Sequence, residues 1–249
     1  MKKLIALLLT LALAVSFAAC GGNEATEATT EATTEATTEA TTGTTEVAVM
    51  TYEEYMAADL ETVVCIEAYV QATQSWWDNK ITVYAQDADG AYFLYEMACS
   101  EEDAAKLVAG TKIRVTGDKA EWAGEIEIMN ATFEFVADAD TFVAEPVDVT
   151  ELLGTEELIQ KQNQKVMFKG LTIETIEYKN GEPGDDIYVT LGYNGESYSF
   201  CVEIYLTGAD TDVYKAVEAL TIGDKVDVVG FLYWYDGINP HITGVTKAA

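Results

Sequence analysis

The side chains in this chain that could do chemistry are aromatic rings set beside acids. Trp76-Trp77-Asp78, Glu121-Trp122 and Trp234-Tyr235-Asp236 put all four tryptophans within two residues of a carboxylate. Rings so placed can stack on sugar rings while the acids bond hydroxyls, or hold a cationic peptide by cation–π contact. Single-stranded nucleic acid would use the same rings. However, 14 Lys and Arg stand against 43 Asp and Glu, a formal charge of −29. Affinity for phosphate backbones rests largely on cationic contacts, so nucleic acid is not an expected partner. The competing role for the rings is packing, since each buries a large apolar area. The candidate ligand contacts are Trp76, Trp77, Trp122, Trp234 and Tyr235.

Nothing else in the sequence forms a reactive constellation. His241 is the only histidine, and it follows Pro240 with no nucleophile beside it. No glycine-rich phosphate loop and no Ser or Cys nucleophile signature occurs. The pairs Asp87/Asp89, Asp138/Asp140, Asp185/Asp186 and Asp210/Asp212 have the look of calcium loops, but none runs on into the twelve-residue pattern that ends in Glu. Asp87 and Asp89 are better read as turn formers, and Asp210 and Asp212 as helix caps. Cys65 and Cys99 could bridge in an oxidising compartment, or each could serve as a small buried hydrophobe, as Cys201 does. No CxxC pair is present. The reading is a protein without enzymatic activity or cofactor, its metal binding undetermined.

The elements that must position these rings come in two copies. Leu107–Gly124 recurs 113 residues later as Leu220–Gly237, with six of 18 positions identical: Leu107/Leu220, Gly110/Gly223, Lys112/Lys225, Val115/Val228, Gly117/Gly230 and Gly124/Gly237. Such a spacing suits one small domain.

In the first copy, Thr51 and Glu54 have capping-box spacing for a short helix with Tyr55, Met56 and Leu60 as its apolar side. Strands are predicted over 63–73, 80–86 and 91–97, with Ile81, Val83 and Ala85 on one face. Asp89-Gly90 supplies the φ > 0 turn between the last two. Ser100 caps a helix carrying Ala104, Leu107 and Val108. A fourth strand covers 112–117. A fifth covers 125–136, where Ile126 and Ile128 alternate with Glu125 and Glu127, and a bulge is expected near Met129–Thr132.

The second copy has a helical lead-in over 148–161 and strands over 166–178, 187–191 and 197–204. Asn194-Gly195 forms a hairpin turn between the second and third of these. A helix over 210–220 and strands over 224–233 and 238–245 complete it.

Three strands, a helix and two strands, with Gly-x-Lys-[Ile/Val]-x-Val-x-Gly leading into strand four, resemble the OB-fold. The fold class is therefore mostly β: two small five-stranded OB-like barrels, each with a helix between strands three and four. The resemblance implies a binding surface on strands two and three, flanked by the loops that carry the tryptophans.

The N-terminus carries a different message. Met1-Lys2-Lys3, an apolar Leu4–Phe17 and Ala18-Ala19-Cys20 form a secretory signal. Phe17-Ala18-Ala19-Cys20 resembles the lipobox of bacterial lipoproteins, with Phe where Leu is usual. That resemblance implies cleavage before Cys20, lipidation of Cys20 and a lipid anchor in the cell membrane facing the extracytoplasmic side. Loss of Lys2 and Lys3 takes the formal charge from −29 to −31. Glu24–Glu46 repeats Glu-Ala-Thr-Thr without a large apolar side chain, as an acidic tether would. The domains are then signal 1–19, lipidated tether 20–49, first OB-like domain 50–137, linker 138–147 and second OB-like domain 148–249. The function read from all this is a surface lipoprotein that recognises a glycan, a peptide or an envelope protein. The alternative is a purely structural or protein-docking envelope module.

Overall fold

The computed structural model describes residues 47–248, which lie in one compact unit. Cys20, the signal segment and the Glu-Ala-Thr-Thr tether lie outside the described residues. After helix α1 (Tyr52–Ala57), strands β1 (Val63–Thr73), β2 (Lys80–Gln86), β3 (Ala91–Ala98), β4 (Lys112–Trp122) and β5 (Glu125–Phe135) close into a barrel in the order β1-β2-β3-β5-β4. A one-turn helix α2 (Glu101–Ala104) lies between β3 and β4.

Strands β7 (Lys165–Tyr178), β8 (Ile187–Tyr193), β9 (Glu196–Val202), β10 (Lys225–Phe231) and β11 (His241–Lys247) repeat the arrangement. Pairing of β10 with β7 joins the ends of the order β10-β11-β9-β8-β7. A two-residue strand β6 (Val147–Asp148) runs parallel to β7 at its edge. Helices α3 (Ile204–Thr207) and α4 (Asp212–Glu218) stand between β9 and β10. The fold is thus mostly β and OB-like. Among the described residues no helix is long and apolar enough to cross a membrane.

The repeated residues have repeated jobs. Gly110 and Gly223 turn the chain into the fourth strand at φ of 90° and 93°, where a side chain would be strained. Gly117 and Gly230 sit where strand five crosses strand four at close range. A Cβ on Gly117 would stand 2.7 Å from Ile128 Cγ2 and from the Met129 carbonyl oxygen, and one on Gly230 would meet the His241 carbonyl. Beyond each glycine, strand five also pairs with strand three, in parallel: Leu94 with Ile128 in the first barrel, Cys201 with His241 in the second. The expected bulge is present, with β4–β5 register shifting between Thr116 and Asp118 and Asn130 at a φ of 50°.

Each barrel has its own apolar core. Val64, Ile66, Ile81, Val83, Leu94, Ile113 and Val115 fill the first. Val166, Phe168, Leu171, Val189, Phe200, Val226 and Val228 fill the second. Several local expectations are corrected. The lead-in over 148–161 holds only two 3-10 turns, Thr150–Leu152 and Leu158–Lys161. The residues placed at the end of the second copy's third strand leave the sheet as α3, because Gly208 stops the turn and the Glu203 carboxylate caps it. Neither Asp89 nor Gly90 adopts positive φ. Instead Asp87 Oδ1 accepts from both Asp89 N and Gly90 N at 2.8 Å, and Gly90 is required because a Cβ would enter the Tyr52 ring.

On α1 only Tyr55 is buried, while Met56 and Leu60 are exposed. In place of an apolar side, Lys119 closes the helix end, its Nζ donating to the carbonyls of Tyr55, Met56 and Ala58 at 2.7–2.9 Å. The cap of α4 is Thr211 rather than an aspartate. Cys65, Cys99 and Cys201 are all free thiols, each buried.

Candidate functional site

The tip of the first barrel's last hairpin reaches the second barrel. Ala123 and Gly124 both take positive φ, 51° and 89°, as a two-residue turn of right-handed strands requires. The second barrel grips that tip from two sides. Gln162 Nε2 donates to the Gly124 carbonyl at 2.8 Å, and Ile126 N donates back to Gln162 Oε1 at 3.2 Å. On the other side Trp234 N donates to Glu125 Oε2 at 2.9 Å, and Asp236 N donates to the Ala123 carbonyl at 2.8 Å. The Trp234 ring lies so near Gly124 that a Cβ there would be 2.9 Å from Trp234 Cδ1.

A second contact covers the outer face of β2 and β3. Ile81, Val83 and Ala85 turn into the barrel core, which sends Tyr84 outward with Phe93 of β3. Tyr84 meets Phe231 and Phe93 meets Tyr233 edge-on, in one cluster with Ala72 and Leu206. Tyr84 stacks on Phe231 with ring centroids 4.3 Å apart and planes 9° from parallel. Its hydroxyl hydrogen-bonds His241 Nδ1 at 2.7 Å. Burial holds the His241 ring neutral, pushing its pKa down to about 4, and the ring tautomer sets which of the two groups donates. Gln86 Oε1 accepts from Lys165 N at 2.9 Å. The surface that the OB resemblance assigns to ligand is, in the first barrel, largely occupied by the second.

What stays open is the rim of that surface, a groove of about 460 Å³ that includes Gln74, Ser75, Trp76, Trp77, Lys80, Thr82, Glu96 and Tyr205. Trp77 closes a two-residue turn with Lys80 across Asp78 and Asn79, whose φ values are 48° and 60°. The turn leaves the Trp77 ring 71% exposed. Trp76 turns the other way: it packs on the barrel core and its Nε1 donates to the Cys99 carbonyl at 2.9 Å. Tyr205, 61% exposed, comes from the second barrel. Glu203 fixes α3 by accepting from Tyr205 N and Leu206 N, and Ser75 N donates to the Tyr205 carbonyl at 2.7 Å. Lys80 is paired with Glu96 at 2.7 Å.

The candidate residues therefore separate. Trp77 and Trp76 belong to the groove, the first as an open ring and the second as its wall. Trp122, 61% exposed, and Tyr235 flank the gripped hairpin tip outside the groove, while Trp234 packs on the second core. Tyr205 lies just past the strand expected over 197–204, in a stretch to which the sequence pattern assigns no element. Glu125 and Glu127, which alternate with Ile126 and Ile128, are both buried, Glu125 against the second barrel. The available sign was Tyr84 and Phe93, large rings on the nominally outward faces of two strands. Among the described residues no three His, Cys, Asp or Glu side chains gather as a metal site.

No protein-family model matches the chain, and no curated protein matches its sequence. Solved structures do match. A murine DNA-binding protein bound to double-stranded DNA is 12% identical over 74% of this chain and 96% of its own, with a TM-score of 0.36. A HIN domain in complex with a 20-base-pair double-stranded DNA is 12% identical over 75% of this chain and 100% of its own, with a TM-score of 0.35. A replication protein A heterotrimer bound to single-stranded DNA is 15% identical over 74% of this chain and 50% of its own, with a TM-score of 0.28.

These matches correct two expectations. Where glycan, peptide or envelope-protein recognition or envelope scaffolding was expected, the three matches are of proteins whose structures contain double- or single-stranded DNA, a property of those proteins. The exclusion of nucleic acid also gives way. It rested on net charge, which is a sum over the whole chain to which the tether alone gives six acids, Glu24, Glu27, Glu31, Glu35, Glu39 and Glu46. Ring stacking is a local interaction that such a sum does not measure.

Proposed function

We propose that this protein is a non-enzymatic binding module whose groove takes the bases of a single-stranded oligonucleotide by stacking. The observation that carries this reading is the composite groove itself: an open indole, Trp77, and an open phenol, Tyr205, brought from different barrels to one cleft. Gln74, Ser75 and Thr82 add an amide and hydroxyls suited to base edges. Lys80 is the cation of the groove and already has Glu96. The binding energy is therefore stacking, about 1–3 kcal/mol per base, with little from phosphate.

The test is quenching of tryptophan fluorescence in the full chain by oligothymidine and by a free nucleoside. Saturable quenching is expected, with affinity falling roughly 5- to 150-fold on Trp77→Ala or Tyr205→Ala, the range that one lost stack predicts. Salt is expected to change the affinity by less than one power of its concentration, because at most one phosphate meets a cation. Absence of quenching by either ligand, or a steep salt slope unaffected by both variants, overturns the reading.

The anchor is a separate proposal. The lipobox-like Phe17-Ala18-Ala19-Cys20 supports cleavage before Cys20 and lipidation there, as in a bacterial surface lipoprotein held at the membrane. Incorporation of labelled palmitate that Cys20→Ala abolishes would support it, and an unlabelled chain would overturn it.

A further inference from the structure

The third strand of the first barrel carries a carboxylate on strained backbone. Tyr92, Leu94 and Met97 all turn into the core. Strict alternation from Leu94 would send Glu96 inward as well. A bulge prevents this: Tyr95 and Glu96 together stand opposite Thr82, between the pairs Leu94–Val83 and Met97–Ile81. Glu96 takes a φ of 45°, left-handed backbone that a residue other than glycine adopts only under strain. Its N–H donates to Thr82 Oγ1 at 3.1 Å. The bulge delivers the carboxylate to the rim of the groove, where Oε2 accepts from Lys80 Nζ at 2.7 Å.

Lys80 is aimed at the same place by the turn before it. Trp77 and Lys80 exchange both main-chain hydrogen bonds, at 3.0 and 2.9 Å, so their side chains leave the hairpin on one face. Indole, ammonium and carboxylate thus border one groove. With side chains 47% and 40% exposed, the ion pair is weakly held. It also uses up neither group, because the ammonium keeps further hydrogens and the carboxylate further lone pairs.

Such a pair sets a donor beside acceptors, and its complement is an edge with an acceptor beside donors. Guanine has that edge: O6 accepts, while N1–H and the N2 amino group donate. Adenine and cytosine place a bare ring nitrogen next to their amino group, so that nitrogen would face a carboxylate oxygen with no hydrogen between them. Thymine flanks its one N–H with carbonyls.

We propose, resting on the base-stacking reading of the groove, that Glu96 and Lys80 select guanine. With the base on Trp77, N1–H and N2–H donate to the Glu96 carboxylate and Lys80 Nζ donates to O6.

The experiment titrates the full chain with oligothymidine, and with the same strand carrying one central guanine, hypoxanthine, adenine or cytosine, read by tryptophan quenching. Guanine should tighten binding by roughly 5- to 150-fold, the range of one bidentate contact to a base. Hypoxanthine, which lacks the N2 amino group, should fall between guanine and adenine. Glu96→Gln should bring guanine down to the level of adenine and leave oligothymidine unchanged. Glu96→Gly removes the carboxylate and suits the left-handed backbone. That variant should lose the preference and melt no lower than wild type.

Equal binding of all five strands overturns the selection of guanine while leaving the stacking intact. A guanine preference that survives Glu96→Gln overturns it too. So does a Glu96→Gly variant that melts below wild type, because the strained residue would then serve the fold. Quenching by none of the strands removes the stacking and the base readout together.

Discussion

The Tyr84 hydroxyl and His241 Nδ1, 157 residues apart in sequence, lie 2.7 Å apart at the centre of the contact between the barrels. Each comes from an element whose own barrel core faces the other way, so the bond exists only when the barrels dock. Tyr84→Phe should keep the stack on Phe231 and lose the bond, at a cost of about 1–3 kcal/mol for the stranded imidazole. Tyr84→Ala, which also opens a cavity beside Phe231 and Phe93, should cost about 3–5 kcal/mol. Denaturant midpoints of the two variants check the ordering, and equal losses would contradict it.

The buried imidazole also shapes the response to acid. His241 stays neutral in the fold while the unfolded chain takes up its proton below pH 6.5, so this residue alone makes stability fall as pH drops from 6.5 to about 4. Glu125 and Glu127 pull in the opposite direction over that range. His241→Gln keeps an acceptor for the Tyr84 hydroxyl and removes the opposing term. The variant should therefore gain stability more steeply than wild type on acidification from pH 6.5 to 4.5, as read by thermal midpoints. A shallower gain would contradict it.

Neighbouring tryptophans should part company under mutation. Trp76 packs on the first core and gives its indole proton to the Cys99 carbonyl. Trp76→Ala should cost about 3–5 kcal/mol. Trp77 meets mainly solvent, and Trp77→Ala should stay within about 0.5 kcal/mol of wild type. The contrast is measured by chemical unfolding without any ligand, so it holds or fails independently of the groove's occupant.

The repeated strand-four glycines should be irreplaceable in both copies. Gly117→Ala puts a methyl against the Ile128 side chain and the Met129 carbonyl, and Gly230→Ala puts one against the His241 carbonyl. Each should destabilise by about 1–3 kcal/mol or more, since backbone cannot step aside as a side chain can. Gly181→Ala serves as the control, because its Cβ meets nothing, although its φ of 78° still carries strain.

Much of this fold was written locally. The 63–73 and 80–86 strands begin and end where alternation and turn residues place them, and the Thr51/Glu54 box and the Asn194-Gly195 turn form as expected. Local pattern fails where the second barrel intervenes. Alternation around Ile126 and Ile128 sends Glu125 to the outside of its barrel, and that outside is the junction. The position of Tyr205 has a different origin: the Glu203 carboxylate reaches forward to cap two amides, so the strand stops at Val202 and α3 begins. Of the candidate rings, spacing alone found the loops. It could not tell Trp76 from Trp77, because one φ > 0 pair at Asp78 and Asn79 decides which ring faces water.

The Tyr84–Phe93–Phe231 cluster also sets an order of events on the ribosome. Tyr84 and Phe93 are made well over a hundred residues before Phe231 and Tyr233. At about 5–20 residues per second, the first barrel spends roughly 5–20 s complete in its own strands yet with two large rings bare on its flank. A nascent chain in that interval carries a sticky, strand-backed patch that only its own unfinished half can cover. Synthesis that stalls between the two copies would leave an aggregation-prone half-protein rather than a shorter version of the same molecule.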